Sequence, residues 1–427
     1  MSADYEIRRF EPAATDEPGY AEAVAWDNAV TFGFHEERRT DERVHESIAM
    51  SRTDGAVFTG VYQTGEPAPH SLGSDVPVAT FGTRPSTLNV GFGRLLDAHL
   101  ITGVTVRTSH RRRGLLRQMM TEDLALAKGK GVAIAALTAS EASIYGRFGF
   151  GVATTEQSIT VDTSSKFQLN HAPVGTVEVA DPKVLLDLAP QVFDRLHGAQ
   201  PGSIGRQDHY RHIAAGASSR EGGPDTKVKA ALHYGPAGEV DGYVSYRFGG
   251  WDKSPATMEV VDLVAATSAA YLELWQYLAA IDLVERVTWS EAPVDNPLYW
   301  ALTDPRCVNA ANPRDMLWLR ILDVRQALEA RAFAADGALV LRVSDGLGLT
   351  AGTFSLEVRD GVARVSASDA APDLELDITA LSSIYLGAVN PVTLAAAGRV
   401  HEHTEGAAFL AARLFAVERP AHCLTHF

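Results

Sequence analysis

The sequence is poor in cysteine and in positive charge. Only two of its 427 residues are cysteines, Cys307 and Cys423, so a disulfide framework is not expected and a reducing compartment is the default. Lysine and arginine together number 38 against 53 aspartates and glutamates, which gives a formal net charge of −15. This acid excess disfavours sequence-independent binding to nucleic acid, although a local basic patch can still bind a small anion. We therefore expect no nucleic-acid partner.

Long apolar runs are also missing. No stretch approaches the ~20 apolar residues that a membrane-spanning helix needs. The most apolar candidate, from Leu115 to Ile134, is interrupted by charged residues. The N-terminal segment MSADYEIRRFEPAATDEPGY is too polar for a secretion signal. We expect no membrane insertion and a cytoplasmic location.

The remaining composition is that of an ordinary globular protein. Hydrophobic residues make up 46% of the chain and charged residues 21%, which argues against disorder, a collagen-like sequence and a charged coiled coil. At ~100–200 residues per domain, the length predicts two to four domains. A chain of this length buries a core without disulfide or metal staples.

Sequence patterns divide the chain into three blocks. In residues 1–165, a β-branched strand from Leu100 to Arg107 leads through a basic turn into a helix, and a second apolar strand follows, which is a β-α-β unit. Residues 166–312 partly repeat the strand–turn–helix plan. Residues 313–427 place short strands before helices, a pattern typical of an α+β domain.

The second block lacks the basic turn of the first. Matching Leu263 to Val106 places Leu272 opposite Leu115. The turn AATSAAY then stands where the first block has TSHRRRG, so the arginines and the glycine are absent. We expect the second block to keep the fold without the chemistry.

The turn of the first block has the features of an anion site. Gly114 stands at the start of a helix, where free backbone N–H groups and the helix dipole favour an anion, and three arginines precede it. Such a turn fits a pyrophosphate, to which arginines add charge-assisted hydrogen bonds. The alternative is a solvated helix cap with surface charge.

The strand before this turn suggests which pyrophosphate ligand it serves. The backbone of Val-Thr-Val, residues 104–106, is able to pair with an extended amide-bearing ligand as a sheet edge pairs with a peptide. Coenzyme A combines a pyrophosphate with amides along its arm. The nucleotide-binding pattern GxxxxGK[ST] is absent, and GRFGFG follows a helix, so neither a phosphate loop nor a dinucleotide fingerprint is indicated.

These residues carry a resemblance to a known family. V-x-V followed by R-R-x-G-x-x resembles the acetyl-CoA signature of the GNAT acetyltransferase superfamily. HRRRGLLRQMM and IAALTASEASIYGRFGFG resemble the enhanced intracellular survival (Eis) N-acetyltransferase family, in which the Leu116 position is expected to be leucine rather than the glycine or alanine of many other members. These two motifs are specific and lie in the first block, whereas the third block matches the family by architecture only.

The resemblance implies an α+β fold of three domains. Residues 1–165 would form an N-terminal GNAT acetyltransferase domain, and residues 166–312 a degenerate GNAT-like domain. Residues 313–427 would form a domain like sterol carrier protein. The resemblance also implies acetyl-CoA as cosubstrate, no metal, amine acceptors such as aminoglycosides or lysine side chains, and a homohexamer.

The roles of individual residues also follow from the resemblance. The backbone contact to the pantetheine arm is carried over to Val104, Thr105 and Val106. The pyrophosphate site is carried over to Arg112, Arg113, Gly114, Leu115, Leu116 and Arg117. Contacts near the thioester are carried over to Ser140 and Glu141. The general acid would be Tyr145, and the general base would be the C-terminal carboxylate of Phe427.

The general acid and the general base differ in how well their ordinary pKa values suit their roles. A phenol with a pKa near ~10 is close to a thiol at ~8.5, so Tyr145 is suited to protonate a leaving sulfur. The alternative is an ordinary packed tyrosine. A free carboxylate with a pKa near ~3.5 is a poor base unless burial raises it, so Phe427 has to pack inside the protein. The alternative is a frayed terminus.

Other features are less specific. Asp27 and Glu36, with Trp26, Phe32 and Phe34 as walls, are candidates for a pocket that attracts cations, against the alternative of solvated surface acids. The run His-Glu-His at 401–403 is a weak metal motif without a further partner, and a polar turn is the alternative. The competing function is a lipid-binding carrier with a vestigial acetyltransferase domain, for which an intact RRRGLLR loop has no use.

Overall fold

The computed structural model describes residues 4–219 and 223–427. Its described strands are β1 (Tyr5–Phe10), β2 (Val57–Gln63), β3 (Ala79–Asn89), β4 (Leu95–Val106), β5 (Ile134–Thr138), β6 (Gly151–Val152), β7 (Thr155–Asp162), β8 (Thr176–Ala180), β9 (Lys229–Tyr234), β10 (Val240–Phe248), β11 (Thr257–Ala265), β12 (Arg286–Pro293), β13 (Val308–Asp315), β14 (Leu317–Ile321), β15 (Gly337–Ser344), β16 (Gly352–Arg359), β17 (Val362–Ala367), β18 (Leu374–Asp377) and β19 (Val400–Glu402).

The described helices cover the faces and ends of the sheets. They are α1 (Tyr20–Gly33), α2 (Asp41–Thr53), α3 (Leu115–Gly129), α4 (Ala142–Tyr145), α5 (Leu185–Ala199), α6 (His209–Ala214), α7 (Ser268–Ala279), α8 (Pro297–Ala301), α9 (Val324–Ala330), α10 (Ile378–Ile384), α11 (Pro391–Ala396) and α12 (Ala407–Leu414).

The first sheet has the strand order β1-β2-β3-β4-β5-β14-β6. Its neighbouring strands are antiparallel except β4 and β5, which are parallel and joined by the β-α-β crossover through α3. Helix α3 packs because Leu115, Met119, Met120 and Leu124 are buried along one stripe. The β-α-β unit predicted from the sequence is confirmed.

The second sheet repeats this topology strand for strand. Its order is β13-β7-β12-β11-β10-β9-β8, and its parallel pair is β11 with β12, joined through α7. Read from the opposite end, each strand therefore has a counterpart in the first sheet, and β11 corresponds to β4. The second block thus repeats the fold of the first, as the sequence pattern predicted.

The two sheets exchange strands across the expected domain boundaries. Strand β7 lies before residue 165 but pairs with β12 and β13 in the second sheet. Strand β14 lies after residue 313 but fills the position between β5 and β6 in the first sheet. Sequence pattern grouped β14 with the third block, and its hydrogen bonds place it in the first sheet. The expected boundaries, near residues 165 and 313, are therefore not boundaries between the two sheets.

The internal repeat is also offset from the alignment drawn on sequence. Eight residues, 107–114, separate β4 from α3, whereas two residues, 266–267, separate β11 from α7. No single offset aligns both the strands and the helices, so pairing Leu272 with Leu115 is wrong. The second domain lacks the basic loop altogether rather than carrying a substituted copy.

The third domain packs against β14. Its sheet has the order β17-β16-β15-β18-β19. The buried side chains of Leu381 and Ile384 on α10 belong to the same apolar cluster as Leu317 and Leu319 on β14. The Ile321 N–H donates to Ser382 Oγ at 3.1 Å. Strand β14 therefore ties the third domain to the first sheet.

The described helices also bear on the membrane question. Among residues 4–219 and 223–427, no helix is both long enough and apolar enough to cross a bilayer.

Strand β14 is expected to be a stability centre. Leu319 is fully buried there, so Leu319→Ala leaves a cavity and is expected to lower the free energy of unfolding by about 2–5 kcal/mol, measured by urea denaturation. The matched control is Phe409→Ala on α12, because Phe409 is 64% exposed and its removal is expected to cost less than about 0.5 kcal/mol. Equal effects of the two substitutions would contradict a central role for β14.

Candidate active site

The site begins where the parallel strands β4 and β5 separate. They pair from Ala98 with Ile134 to Leu100 with Ala136, and β4 then continues to Val106 without a described ladder partner on that side. On its other side, β4 pairs with β3 through a register shift between Thr80 and Gly82. The backbone of residues 104–106 thus has a free edge toward the opening, as the sequence predicted for an amide-bearing ligand.

Gly103 allows the bulge that β4 forms at this register shift. Its φ of +57° lies in the left-handed region, and a Cβ there would come within 2.9 Å of the Trp26 ring. The hydroxyl of Thr80 donates to the Gly103 carbonyl at 2.7 Å and lies 2.6 Å from Thr105 Oγ1. These contacts hold the bulge that turns the free edge of β4 toward the opening.

The basic loop lies at the outer end of the opening. Gly114 has a φ of +82° and caps α3 without a side-chain hydrogen bond, so the first N–H groups of the helix are free to bind an anion. Arg112 adopts an unusual φ of +62° for a residue with a side chain. Among the described residues, no side chain pairs with Arg112 or Arg117, and both are exposed.

Unlike Arg112 and Arg117, Arg113 has a side chain with hydrogen-bond partners among the described residues. Its guanidinium donates to the Tyr5 hydroxyl at 2.6 Å and to the Ser109 carbonyl at 3.2 Å. Arg113 therefore braces the loop against β1, while Arg112 and Arg117 extend into solvent. The carried-over pyrophosphate role of all three arginines stays a prediction.

A cavity of about 240 Å³ lies at the inner end of the opening. Both separated strands, the residue after α1, the short helix α4 and the C-terminus contribute to its wall. Its lining residues are Phe34, Ile101, Thr102, Gly103, Val104, Thr138, Ala139, Ser140, Tyr145, His426 and Phe427. Of the carried-over site residues, the cavity thus brings together Val104, Ser140, Tyr145 and Phe427, which come from distant parts of the sequence.

Tyr145 stands at the end of the short helix α4. Its side chain is 6% exposed, and its ring packs edge-to-face against Phe150 at 6.2 Å between centroids. Burial raises the pKa of the Tyr145 phenol, the nearby Glu141 carboxylate raises it further, and a hydrogen bond with Ser140 opposes them. The phenol is therefore protonated at neutral pH and available as a proton donor.

The C-terminal carboxylate lies in the same cavity. Thr138 Oγ1, at the end of β5, donates to an oxygen of Phe427 at 2.6 Å. The Arg84 guanidinium lies 5.4 Å from the centroid of the Phe427 ring. The terminus is held in place and half-buried rather than frayed, which is the position that a role as base requires.

Most of the candidate acceptor residues lie elsewhere. Asp27 is buried between α1 and α2, where it accepts from Ser47 at 2.8 Å and pairs with Arg39. Trp26 is a core side chain stacked on Phe58 at 3.8 Å. Of the residues proposed for that pocket, Phe34 alone lines the cavity.

Two residues of the site were missed on sequence. Thr138 falls at the end of the apolar strand IAALT, two residues before Ser140, and its position at a strand end was the available signal. His426 is the neighbour of a terminus already assigned to the site. Nothing local in the sequence distinguishes His426 from a solvated residue.

The other titratable candidates are accounted for by local contacts. His403 lies 3.2 Å from a Glu375 oxygen, and Glu402 accepts from the backbone N–H groups at the start of α12. In the described ranges, no three histidine, cysteine or acidic side chains lie together as a metal site would need. Cys307 and Cys423 are free and buried, and burial raises the pKa of Cys423 to about 12.

Comparison with known families matches all three domains. A family model described as an acetyltransferase (GNAT) domain matches residues 72–153, and a second model with the same description matches residues 202–321. A sterol carrier protein domain model matches residues 324–424. The second match runs through β14, in keeping with its place directly after the second domain in the chain.

Similar proteins extend over most of the chain. An uncharacterized N-acetyltransferase from Streptomyces avermitilis is 36% identical over 403 residues, which cover 92% of this chain and 93% of that protein. The N-acetyltransferase Eis of Mycobacterium tuberculosis is 37% identical over 342 residues, which cover 75% of this chain and 81% of that protein.

Solved structures give the same result at the level of the fold. The crystal structure of Eis1 from Mycobacterium abscessus superposes with a TM-score of 0.80 at 27% identity, over 99% of this chain and 100% of that one. The expected fold class, two GNAT domains followed by a sterol-carrier-like domain, is confirmed. The chain belongs to the Eis family of GNAT N-acetyltransferases and is an acyltransferase.

Proposed function

We propose that the protein transfers the acetyl group of acetyl-CoA directly to an amine of a polycationic acceptor, with Tyr145 as general acid and the Phe427 carboxylate as general base. The observation that carries the proposal is the meeting of Tyr145 and the Phe427 carboxylate in one cavity at the separation of β4 and β5. Neither group needs to form a covalent intermediate, because an amine attacks a thioester directly.

The residues around the opening fit coenzyme A. The free edge of Val104, Thr105 and Val106 suits the amides of the pantetheine arm, and the N–H groups of Leu115, Leu116 and Arg117 at the uncapped helix end suit the pyrophosphate. The exposed side chains of Arg112 and Arg117 add charge. When bound there, acetyl-CoA supplies the acetyl thioester, near which the carried-over roles place Ser140 and Glu141; of these two, Ser140 lines the cavity.

The Phe427 carboxylate takes the proton that the amine loses as its nitrogen bonds to the acetyl carbon. The hydrogen bond from Thr138 Oγ1 fixes the direction of this carboxylate. The phenol of Tyr145 then gives its proton to the sulfur as the carbon–sulfur bond breaks. Protons and electron pairs balance, and the products are an amide and a thiol.

The acceptor is proposed to be an amine that carries further positive charge, such as an aminoglycoside or a lysine side chain. The net charge of −15 attracts polycations over long range, and Phe34 provides an apolar wall. The lipid-carrier alternative is not favoured, because relatives named as N-acetyltransferases match most of the chain. The homohexamer implied by the resemblance and the cytoplasmic location expected from the composition belong to this proposal.

The activity is tested by following thiol release from acetyl-CoA across a panel of amines that includes aminoglycosides. Both cysteines are buried, so a thiol reagent reports the product rather than the protein. We expect release that depends on the amine, and a KM for acetyl-CoA about tenfold higher in Arg117→Ala, since a charge-assisted hydrogen bond is lost. Arg413→Ala, on an exposed face of the third domain, is the matched control. Absence of release with every amine would refute the proposal.

Tyr145→Phe is expected to lower kcat by about 100-fold and to leave the KM for acetyl-CoA nearly unchanged, because only the proton donor is removed. Burial keeps the phenol protonated, so Tyr145 is expected to cause no loss of rate as the pH rises from neutral to its ordinary pKa near ~10. Tyr385→Phe, a buried tyrosine that donates to the Ala327 carbonyl, is the control. An unchanged kcat in Tyr145→Phe would remove Tyr145 from the mechanism.

Adding a single glycine after Phe427 is expected to reduce kcat at least 100-fold with an unchanged melting temperature. The extension converts the Phe427 carboxylate to an amide and moves the charge away from Thr138. An N-terminal extension of the same length serves as control. Full activity of the C-terminally extended chain would show that the carboxylate is not the base.

A further inference from the structure

The last eight residues, 420–427, run from the third domain across the second domain before they enter the cavity of the first. The His422 N–H donates to the Pro201 carbonyl at 2.9 Å, and Thr425 Oγ1 donates to the Ile204 carbonyl at 2.9 Å. The side chain of Gln200 donates to the Pro420 carbonyl at 2.8 Å. This C-terminal segment is thus fixed along the second domain by hydrogen bonds at Pro420, His422 and Thr425.

Tyr210, on α6 of the second domain, makes the last of these contacts. Its hydroxyl accepts from the His426 N–H at 2.6 Å and donates to the His426 carbonyl at 3.1 Å. One phenol thus satisfies both backbone groups of the penultimate residue. The His426 carbonyl belongs to the planar peptide group that ends in the Phe427 nitrogen, so the bond to Tyr210 sets the direction in which Phe427 leaves.

Tyr210 is itself held by a buried ion pair. The Arg206 guanidinium lies 4.4 Å from the centroid of the Tyr210 ring and donates to the two oxygens of Asp262 at 2.7 and 2.8 Å. Asp262 lies on β11 and also accepts from the Tyr243 hydroxyl of β10 at 2.6 Å. Through Arg206 and Asp262, Tyr210 is therefore tied to β10 and β11, the strands that correspond to β3 and β4 of the first sheet.

We propose that Tyr210 is a positioning residue for the catalytic carboxylate, and that the second GNAT domain serves as the anchor of the base used by the first. The inference rests on the proposed role of Phe427. Thr138 holds the carboxylate from the first domain, and Tyr210 holds the preceding peptide group from the second. Without the Tyr210 hydroxyl, the hydrogen bond from Thr138 to the carboxylate remains, and the hydrogen bonds of Tyr210 to the His426 backbone are lost.

The test is Tyr210→Phe, which keeps the ring on Arg206 and removes the hydroxyl. We expect kcat to fall ten- to a hundredfold, at roughly the level expected for a misplaced catalytic group, with the KM for acetyl-CoA unchanged because the β4 edge and the basic loop are untouched. Tyr246→Phe is the matched control, since its buried hydroxyl bonds to Tyr277 at 2.6 Å and does not touch the C-terminal segment.

A second readout follows the segment itself, independently of catalysis. Carboxypeptidase A, which removes C-terminal aromatic residues, is expected to release Phe427 about tenfold faster from Tyr210→Phe than from the parent or from Tyr246→Phe, because the open state is more populated. Thr425→Val removes the bond to Ile204 and is expected to act in the same direction. It supplies the second variant should Tyr210→Phe fold poorly.

The outcomes separate this inference from the function on which it rests. Faster release together with a lower kcat supports the positioning role. Parent-like release and parent-like kcat in both variants would overturn it, even where the glycine extension abolishes activity. Faster release with an unchanged kcat would overturn the positioning role, and the glycine extension decides separately whether the Phe427 carboxylate is the base.

Discussion

The pairing of β14 with β5 is the constraint on which the other parts of the site depend. Every residue of β14 is buried, and its ladder with β5 runs from Ile321 beside Ile134 to Leu317 beside Thr138. Thr138 is therefore held from one side by β14 while its hydroxyl faces the cavity on the other. The same strand carries the third domain, since the buried Arg320 pairs with Asp345 at 2.7 Å. This one strand therefore holds β5, which carries Thr138, and also supports the third domain, from which the C-terminal segment departs.

The second domain repeats the fold of the first, but its proposed role is different. It keeps the strand order and the parallel pair of the first, yet it has no eight-residue basic loop between strand and helix. Thr267 caps α7 there, occupying the N–H group of Ala270 that an anion would need. The second domain keeps a rigid sheet, which is a suitable support for the C-terminal segment because that segment has to end at a fixed point.

Sequence reasoning succeeded where the signal is local. The β-branched strand, the glycine at the start of α3 and the amphipathic stripe of α3 each follow from a few neighbouring residues. It failed where pairing is distant: an apolar strand such as Leu317–Ile321 carries no mark of which sheet it joins. Acidic Asp27 next to aromatic residues resembled a substrate wall, whereas it serves the contact between α1 and α2. The half-buried terminus was indicated mainly by the family resemblance, because isolated termini ordinarily fray.

The exchanged strand also orders events during synthesis. Strands β5 and β6 leave the ribosome long before β14, which ends at Ile321. Until then the N-terminal sheet has a gap in its interior, with the edges of two buried strands unpaired and available to other nascent chains. The first domain therefore completes its fold only after the second has been translated, and early release of the polypeptide leaves a species prone to aggregation.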